Sequence, residues 1–228
     1  MRIQIICYRA IDHQDLCLDF QNGHIGVLSN LGIKMISSSK EEWMVNPNMY
    51  FSLIYLGDKV VGGARLQIKD TSCKLPIEDA IDYLDKGIIE EVASRTDQLT
   101  GEACGLWIGD EVRNIKMGLV LTRCVIIMAK LLGLKSLFVL TSQYSSSMTL
   151  QCGFTPLTSL GNNGTFEYPN EQFISTVSLI DDLQSLESAE PNQKRIIEHL
   201  AENHQAQLIE STEKGPIAIE YNFSNILS

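Results

Sequence analysis

The sequence predicts an α/β (α+β) fold: a mixed central sheet with an antiparallel first half, then a parallel strand–helix–strand unit, flanked by helices. Three observations predict it. Two β-rich runs in "MYFSLIYLGDKVVGGARLQIK" (49–69) flank "GDK", a hairpin signal. The segment 102–142 reads strand, long apolar helix, strand, the order of a parallel crossover unit. And 44% of the 228 residues are hydrophobic, enough to bury a core in one globular unit.

The elements follow in order. "IQIICYRA" (3–10) reads as a buried strand. In residues 11–33, Leu16, Phe20, Ile25 and Leu28 keep helical apolar spacing, but Gly23 and Gly26 predict one helix ending near Gly23 and a shorter one after it. The hairpin comes next. "LPIEDAIDYLDKGIIEEVASR" (75–95) reads as a helix with Pro76 in its first turn and acids behind it. "EACGLWIG" (102–109) is a strand. "MGLVLTRCVIIMAKLLG" (117–133) is apolar nearly all round, hence a buried helix, with Gly133 as its stop. "KSLFVLTS" (135–142) is a strand, "SSSMTLQCGF" (145–154) a short helix ending at Gly153, and "FISTVSLID" (173–181) a further strand.

The remainder changes character. "DDLQSLESAEPNQK" (181–194) is polar and linker-like. Residues 191–210 read as one amphipathic helix with Ile196, Ile197, Leu200 and Leu208 on one side. "PIAIEYNF" (216–223) alternates as a half-buried strand and needs a pairing partner, in its own sheet or in a neighbouring subunit of a homodimer. The expected organisation is a core domain, 1–181, and a helix–strand extension, 182–228.

Charge and cysteines narrow the function classes. A formal net charge of -10 argues against a general nucleic-acid binder, which needs a basic face. The six cysteines include no C-x-x-C pair and mostly sit in apolar surroundings, so they read as buried free thiols of a reducing compartment. The opening "MRIQIICYRA" is too short for a signal-peptide core, and Arg123 and Lys130 break the longest apolar stretch. The expectation is a cytoplasmic protein with no membrane span. His13, His24, His199 and His204 show no ligand spacing; they read as solvated side chains, and no metal is expected.

One stretch carries chemistry: "LWIGDEVRNIKMG" (106–118), where a strand ends near Ile108 and the buried helix starts near Lys116. The first amides of a helix lack internal partners and hold anions such as phosphate. Arg113 and Lys116 add full charges, and Gly118 permits close approach to the backbone. The physical reading is a diphosphate site. Neither G-x-G-x-x-G nor G-x-x-x-x-G-K-S/T is present, so it is neither a standard dinucleotide fingerprint nor a P-loop.

These residues resemble the Gcn5-related N-acetyltransferases, whose R/Q-x-x-G-x-G/A motif follows a strand. Leu106, Ile108, Arg113 and Gly118 fall at matching positions. The strand "LKSLFVLTS", the Gly153–Phe154 pair closing the next helix and the hairpin "GDKVVGGARL" also match, so the resemblance covers about residues 1–181. It implies an N-acyltransferase that moves an acyl group from acetyl-CoA or a longer acyl-CoA to a small primary amine by direct attack. It also implies a coenzyme A site in which Ile108 meets the pantetheine, with Trp107 beside the cleft as core packing rather than a stacking platform, and Arg113, Asn114, Ile115, Lys116, Met117 and Gly118 hold the diphosphate. A strand splayed from its neighbour would make the gap for the pantetheine arm.

The resemblance suggests Glu102 as general base, a role that a burial-raised pKa would suit; an ordinary strand-end acid is the alternative. The tyrosine often used as general acid falls at Thr149, whose hydroxyl is far less acidic. Tyr144 is the nearby substitute, or a surface tyrosine. Arg65 would bind an acidic group of the substrate, or pair with Glu102. Three departures stand out: Asn114 and Lys116 replace common glycines, and Glu111 replaces a frequent proline.

A more distant similarity is to acyl-homoserine-lactone synthases and related long-chain N-acyltransferases, in "VVGGARL", "LPIEDA" and "EACGLWI". It implies acyl carrier protein as an alternative donor. Their E-x-S-R pattern keeps Glu102, but Cys104 and Gly105 replace its serine and arginine, and Asn46 and Asn48 stand where acids are expected. A lactone synthase proper is therefore not expected. The remaining alternative is a non-catalytic fold that binds coenzyme A or a partner protein.

Overall fold

In a computed structural model of the chain, residues 2–30, 32–33 and 41–227 are described. The strands among them form one mixed sheet, in the order β6-β8-β5-β4-β3-β2-β1-β10-β9, with β7 also on β8. They are β1 (Ile3–Arg9), β2 (Met49–Leu56), β3 (Lys59–Ile68), β4 (Thr100–Ile108), β5 (Ser136–Ser142), β6 (Thr155–Pro156), β7 (Thr165–Glu167), β8 (Ile174–Ile180), β9 (Gln205–Thr212) and β10 (Gly215–Asn222). The helices are α1 (Gln14–Asn30), α2 (Pro76–Ile81), α3 (Gly87–Thr96), α4 (Met117–Leu131), α5 (Ser146–Gln151) and α6 (Pro191–Glu202). β1 to β4 pair antiparallel, and β4 pairs parallel with β5 through α4. The expected antiparallel-then-parallel order is present.

The sheet's two faces are covered differently. α4 and α6 pack on one face, over Ile3, Ile5, Ile54 and Leu66. α1 covers the other face beside Phe51, Leu53 and Trp107, and α2 and α3 cover it beside Phe138, Val177 and Leu179. α4 is buried without interruption from Met117 to Ala129. That explains its all-round apolar composition, and it leaves Arg123 inside the protein. Arg123 is 1% exposed and pairs at 2.7 Å with Glu210 of β9, which also accepts the Tyr221 hydroxyl.

Several local expectations give way to tertiary packing. α1 continues through Gly23 and Gly26 to Asn30. Gly23 is a contact point: a Cβ there would fall 2.2 Å from the Trp107 ring. Leu31, at the end of the stretch read as a second helix, lies outside the described residues. The stretch 75–95 is two helices rather than one. The linker-like stretch buries Leu183, Leu186 and Ala189 in the main core.

The helix read over 191–210 stops at Glu202, and residues 205–212 form β9, hairpin-paired with β10. Leu208 satisfies a strand's alternation as well as a helix's spacing, and β10 supplies the pairing that decides it. β10 lies parallel to β1 of the same chain. Residues 182–227 thus extend the sheet formed by β1 to β8 and share its core. Cys7, Cys17, Cys124 and Cys152 are buried free thiols, whereas Cys73 is exposed and Cys104 half-buried. Among the described residues, no helix is long and apolar enough to cross a membrane.

Candidate active site

The site begins with a fault in the sheet. β4 and β5 pair from Thr100 opposite Ser136 to Ala103 opposite Val139, and there the pairing ends. Both strands run on, to Ile108 and Ser142. The cause lies on the other side of β4. Arg65 is opposite Cys104 and Gly63 opposite Trp107, so β4 uses one residue more than β3 over that interval. An extra residue is a β-bulge, which bends its strand. Gly105 makes this possible: its φ is +61°, and a Cβ there would stand 2.7 Å from Arg65 Nε.

The gap between the parting strands opens into a cavity of about 370 Å³. Its walls are mostly aliphatic: Val27 and Leu28 of α1, Val125 of α4, Leu106 of β4 and Val139 and Leu140 of β5. Its volume falls in the ~300–1,000 Å³ range of small-molecule sites. Glu102, Cys104, Thr141, Tyr144 and His24 are among the polar groups on its lining.

Glu102 is 2% exposed and accepts the Ile77 backbone N–H of α2 at 2.7 Å. Burial pushes its pKa up to about 8, against the pull of that N–H and of Arg65, with Glu78 and Asp79 adding to the rise. A carboxyl in this state exchanges a proton near neutral pH, as a general base must. Arg65 lies on the same face of the adjacent strand. Its guanidinium sits 4.6 Å from the Trp43 ring centre and 5.3 Å from that of Phe20. Burial lowers its pKa, with Cys104 and Glu102 opposing the shift. Arg65 also borders a second cavity of about 430 Å³, more polar than the first and reaching Trp43, Asn46, Gln67, Asp70 and Asp79.

The loop before α4 holds two residues in the left-handed region, Asn114 at φ +64° and Lys116 at φ +61°. These are the two positions where glycine was expected, so the chain adopts a glycine-type loop without glycine. Asn tolerates that region; for Lys it costs roughly 1–2 kcal/mol. Lys116 caps α4 with its side chain exposed, while the side chains of Ile115 and Met117 point into the core. Those two can therefore meet a ligand only through their backbone. The first turn of α4 contains no acid. Glu111, the acid nearest in sequence on the β4 side, is turned to Lys59, and Arg113 pairs with Asp110 at 2.6 Å in an exposed position. Gly118 is approached by Met148 of α5, whose sulfur would lie 2.7 Å from a Cβ there.

The sequence matches no protein-family model and no curated protein. Solved structures do match. FeeM, an N-acyl amino acid synthase from uncultured soil microbes, is 12% identical, with 85% of this chain and 98% of that chain covered at a TM-score of 0.64. BjaI, a CoA-dependent acyl-homoserine lactone synthase solved with SAM and isopentyl-CoA, is 15% identical over 88% of this chain and 90% of its own, TM-score 0.55. An acyl-CoA N-acyltransferase from Pseudomonas aeruginosa is 10% identical over 78% and 98%, TM-score 0.54. The fold is the Gcn5-related N-acetyltransferase fold. The distant likeness to lactone synthases read from the sequence is also present at this level.

Within that acetyltransferase fold, the residues singled out from sequence separate into groups. Glu102, Cys104 and Tyr144 border the cavity in the sheet gap, and Arg65 stands behind Cys104. Arg113 to Gly118 form the loop and first turn at the start of α4, beyond the cavity lining. Ile108 ends β4, half-buried against the core. Trp107 packs as core beside the cleft, as its sequence position suggests: its indole is 5% exposed and lies edge-on to Phe20 beneath α1. Tyr144 is 75% exposed, at the cavity mouth in the turn before α5. Thr149 is buried, and its hydroxyl donates to the Ser146 carbonyl at 2.8 Å.

The acetyltransferase fold also reveals one residue that sequence reasoning missed. His24, expected to be solvated, is 2% exposed and borders the cavity. The signal was the ladder Leu16, Phe20, His24, Leu28, one residue every four; the assumed break at Gly23 hid it. Ile25, taken for an inward position, is 44% exposed instead.

Proposed function

We propose that this chain is an N-acyltransferase that transfers an acyl group from an acyl-CoA thioester to a primary amine. The observation that carries the reading is a pair of cavities bordered by two buried ionisable residues. Glu102 borders the apolar cavity in the sheet gap, and Arg65 borders the polar one. An apolar cavity suits an acyl chain, and a polar one suits an amine acceptor. The predominance of aliphatic residues around the first favours a chain longer than acetyl.

The reaction follows from this placement. The amine nitrogen attacks the thioester carbonyl carbon, forming the C–N bond as the carbonyl π pair moves to oxygen. Collapse of that intermediate breaks the C–S bond. The proton lost by nitrogen goes to the Glu102 carboxylate, and the departing thiolate takes a proton from Tyr144, a phenol on the cavity lining. Arg65 holds an acidic group of the acceptor, or keeps Glu102 ionisable in its buried position. The α4 N-terminal amides, Arg113 and Lys116 hold the coenzyme A diphosphate.

The test is a screen of acyl-CoA donors of graded chain length, alongside acyl-carrier-protein donors, against a panel of primary amines. Free thiol release is followed together with thermal melting. The expected result is amine-dependent thiol release with acyl-CoA, and stabilisation of about 2.7 kcal/mol at 100 times Kd. Stabilisation without turnover by any amine would instead establish a binding protein. No stabilisation by any CoA species would overturn the diphosphate assignment.

A further inference from the structure

His24 is an anomaly among its neighbours. It lies in the aliphatic wall that α1 presents to the cavity, one turn before Val27 and Leu28. It is 2% exposed, and its Nδ1 is buried with no hydrogen-bond partner among the described residues. A buried polar atom left unpaired is costly, and leucine would line the wall without that cost. Its surroundings tie it to the reacting end of the cavity. Phe20, one turn earlier on α1, has its ring centre 6.0 Å from that of His24 and 5.3 Å from the Arg65 guanidinium. Arg65 in turn is opposite Cys104, two residues along β4 from Glu102. The Arg65 charge acts on both His24 and Glu102. The imidazole and the carboxyl thus border the same end of one cavity, from α1 and from β4.

We propose that His24 is a catalytic residue: its imidazole donates Nδ1–H to the oxygen of the thioester carbonyl and stabilises the negative charge that gathers there during attack. This rests on the acyl-CoA reading above. Burial and the nearby Arg65 charge push the His24 pKa down to about 3, so the imidazole stays neutral and keeps a single N–H. A neutral imidazole polarises a carbonyl without giving up its hydrogen. With the hydrogen on Nδ1, the unpartnered atom gains its acceptor when a thioester is bound. As the amine attacks, the carbonyl π pair moves onto oxygen and this hydrogen bond strengthens. No proton crosses it. When the C–S bond breaks, the pair returns to re-form C=O; the amine proton goes to Glu102 and the thiolate takes one from Tyr144, as above. Arg65 acts in two ways: its charge keeps the imidazole from protonating, and it favours negative charge on the oxygen. A donor held in place before the charge appears, in a largely aliphatic cavity, needs no reorganisation at the moment of reaction.

The experiment compares the wild type, His24→Leu and His24→Gln by two readouts. The first needs no acceptor: the infrared band of bound octanoyl-CoA, isotope-labelled at the thioester carbonyl. A hydrogen bond to the oxygen lowers the band, so it should stand at lower wavenumber in the wild type than in His24→Leu. The second is turnover with the best amine found. His24→Leu should lower kcat by about 10²–10³-fold with the Kd for octanoyl-CoA unchanged, and His24→Gln, whose amide keeps an N–H donor, should recover much of the loss. Because His24→Leu removes an unpaired buried atom, its melting temperature should not fall. A wild-type band at the position found in hydrocarbon solvent, a band unmoved in His24→Leu, or an unchanged kcat overturns this proposal and leaves the acyl-CoA reading intact. So does a loss of kcat and affinity together that His24→Gln does not recover, which would make His24 a wall residue. Failure of the wild type to bind octanoyl-CoA overturns both.

Discussion

The Glu102 carboxylate, on the strand that opens the gap, accepts the backbone N–H of Ile77 at 2.7 Å. The candidate base is thus positioned by α2, a helix inserted between β3 and β4. This hydrogen bond holds the carboxyl on the cavity side of a buried cluster with Arg65.

Glu102→Gln should reduce turnover by about 10²–10⁴-fold, with little change in coenzyme A affinity. In the wild type, activity should rise with pH through about 8, as Glu102 loses its proton. Stability should move the other way. A folded-state pKa above the unfolded one means that the folded state binds the extra proton. Stability is therefore full below the ordinary carboxylate range and is lost as pH rises through about 8. The advantage of Glu102→Gln should grow by up to about 1.4 kcal/mol per pH unit across that window. Urea unfolding of both proteins from acid to mildly alkaline pH measures it, and parallel curves would count against a raised pKa.

Gly105→Ala should damage fold and function together. The alanine must hold a left-handed φ and place its Cβ 2.7 Å from Arg65 Nε, in a position where backbone and guanidinium are both packed. The expected loss is roughly 1–3 kcal/mol. Denaturant unfolding reads it directly, and wild-type stability would show that the bulge tolerates a side chain.

Arg113→Ala and Lys116→Gly should each weaken coenzyme A binding, by about tenfold at low salt and less at high salt. Their stabilities should differ. Lys116→Gly relieves a left-handed lysine and should gain about 1 kcal/mol without ligand, whereas Arg113 is in an extended conformation and its exposed pair with Asp110 should matter little. Calorimetric titration at two salt concentrations, with melting of the free protein, separates these effects. Unchanged affinity in both variants would remove the diphosphate from this loop.

Glu210→Gln should destabilise the protein by roughly 3–5 kcal/mol, because it leaves the Arg123 charge in the middle of buried α4 with its ion pair gone. Arg123→Met combined with Glu210→Gln should recover much of that loss. A small effect of the single change would mean that the last strands contribute little to holding the core.

The order of the elements was legible because its signals are local. Two β-rich runs around GDK marked the hairpin, an all-round apolar run marked α4, and Gly133 and Gly153, which have positive φ values, marked helix ends. The Arg113–Gly118 motif was legible for the same reason, since a strand end and a helix start lie within one short stretch. Gly23 misled because the same residue type ends helices and admits a packed ring, and only the position of Trp107 distinguishes the two.

By itself, then, the sequence determined which segments become strands and helices around the gap and where α4 starts, for these depend on neighbours a few residues away. Only the tertiary structure decided that residues 205–212 become an edge strand, that Trp107 packs on Gly23, that Ile77 holds Glu102 and that His24 faces the cavity. Each of those depends on a partner brought in from a distant part of the chain: β10 for the strand, α1 for Trp107, α2 for Glu102, and the parting of β4 from β5 for His24. Periodicity tells which residues are buried, but the contacts made in burial exist only once the sheet has assembled.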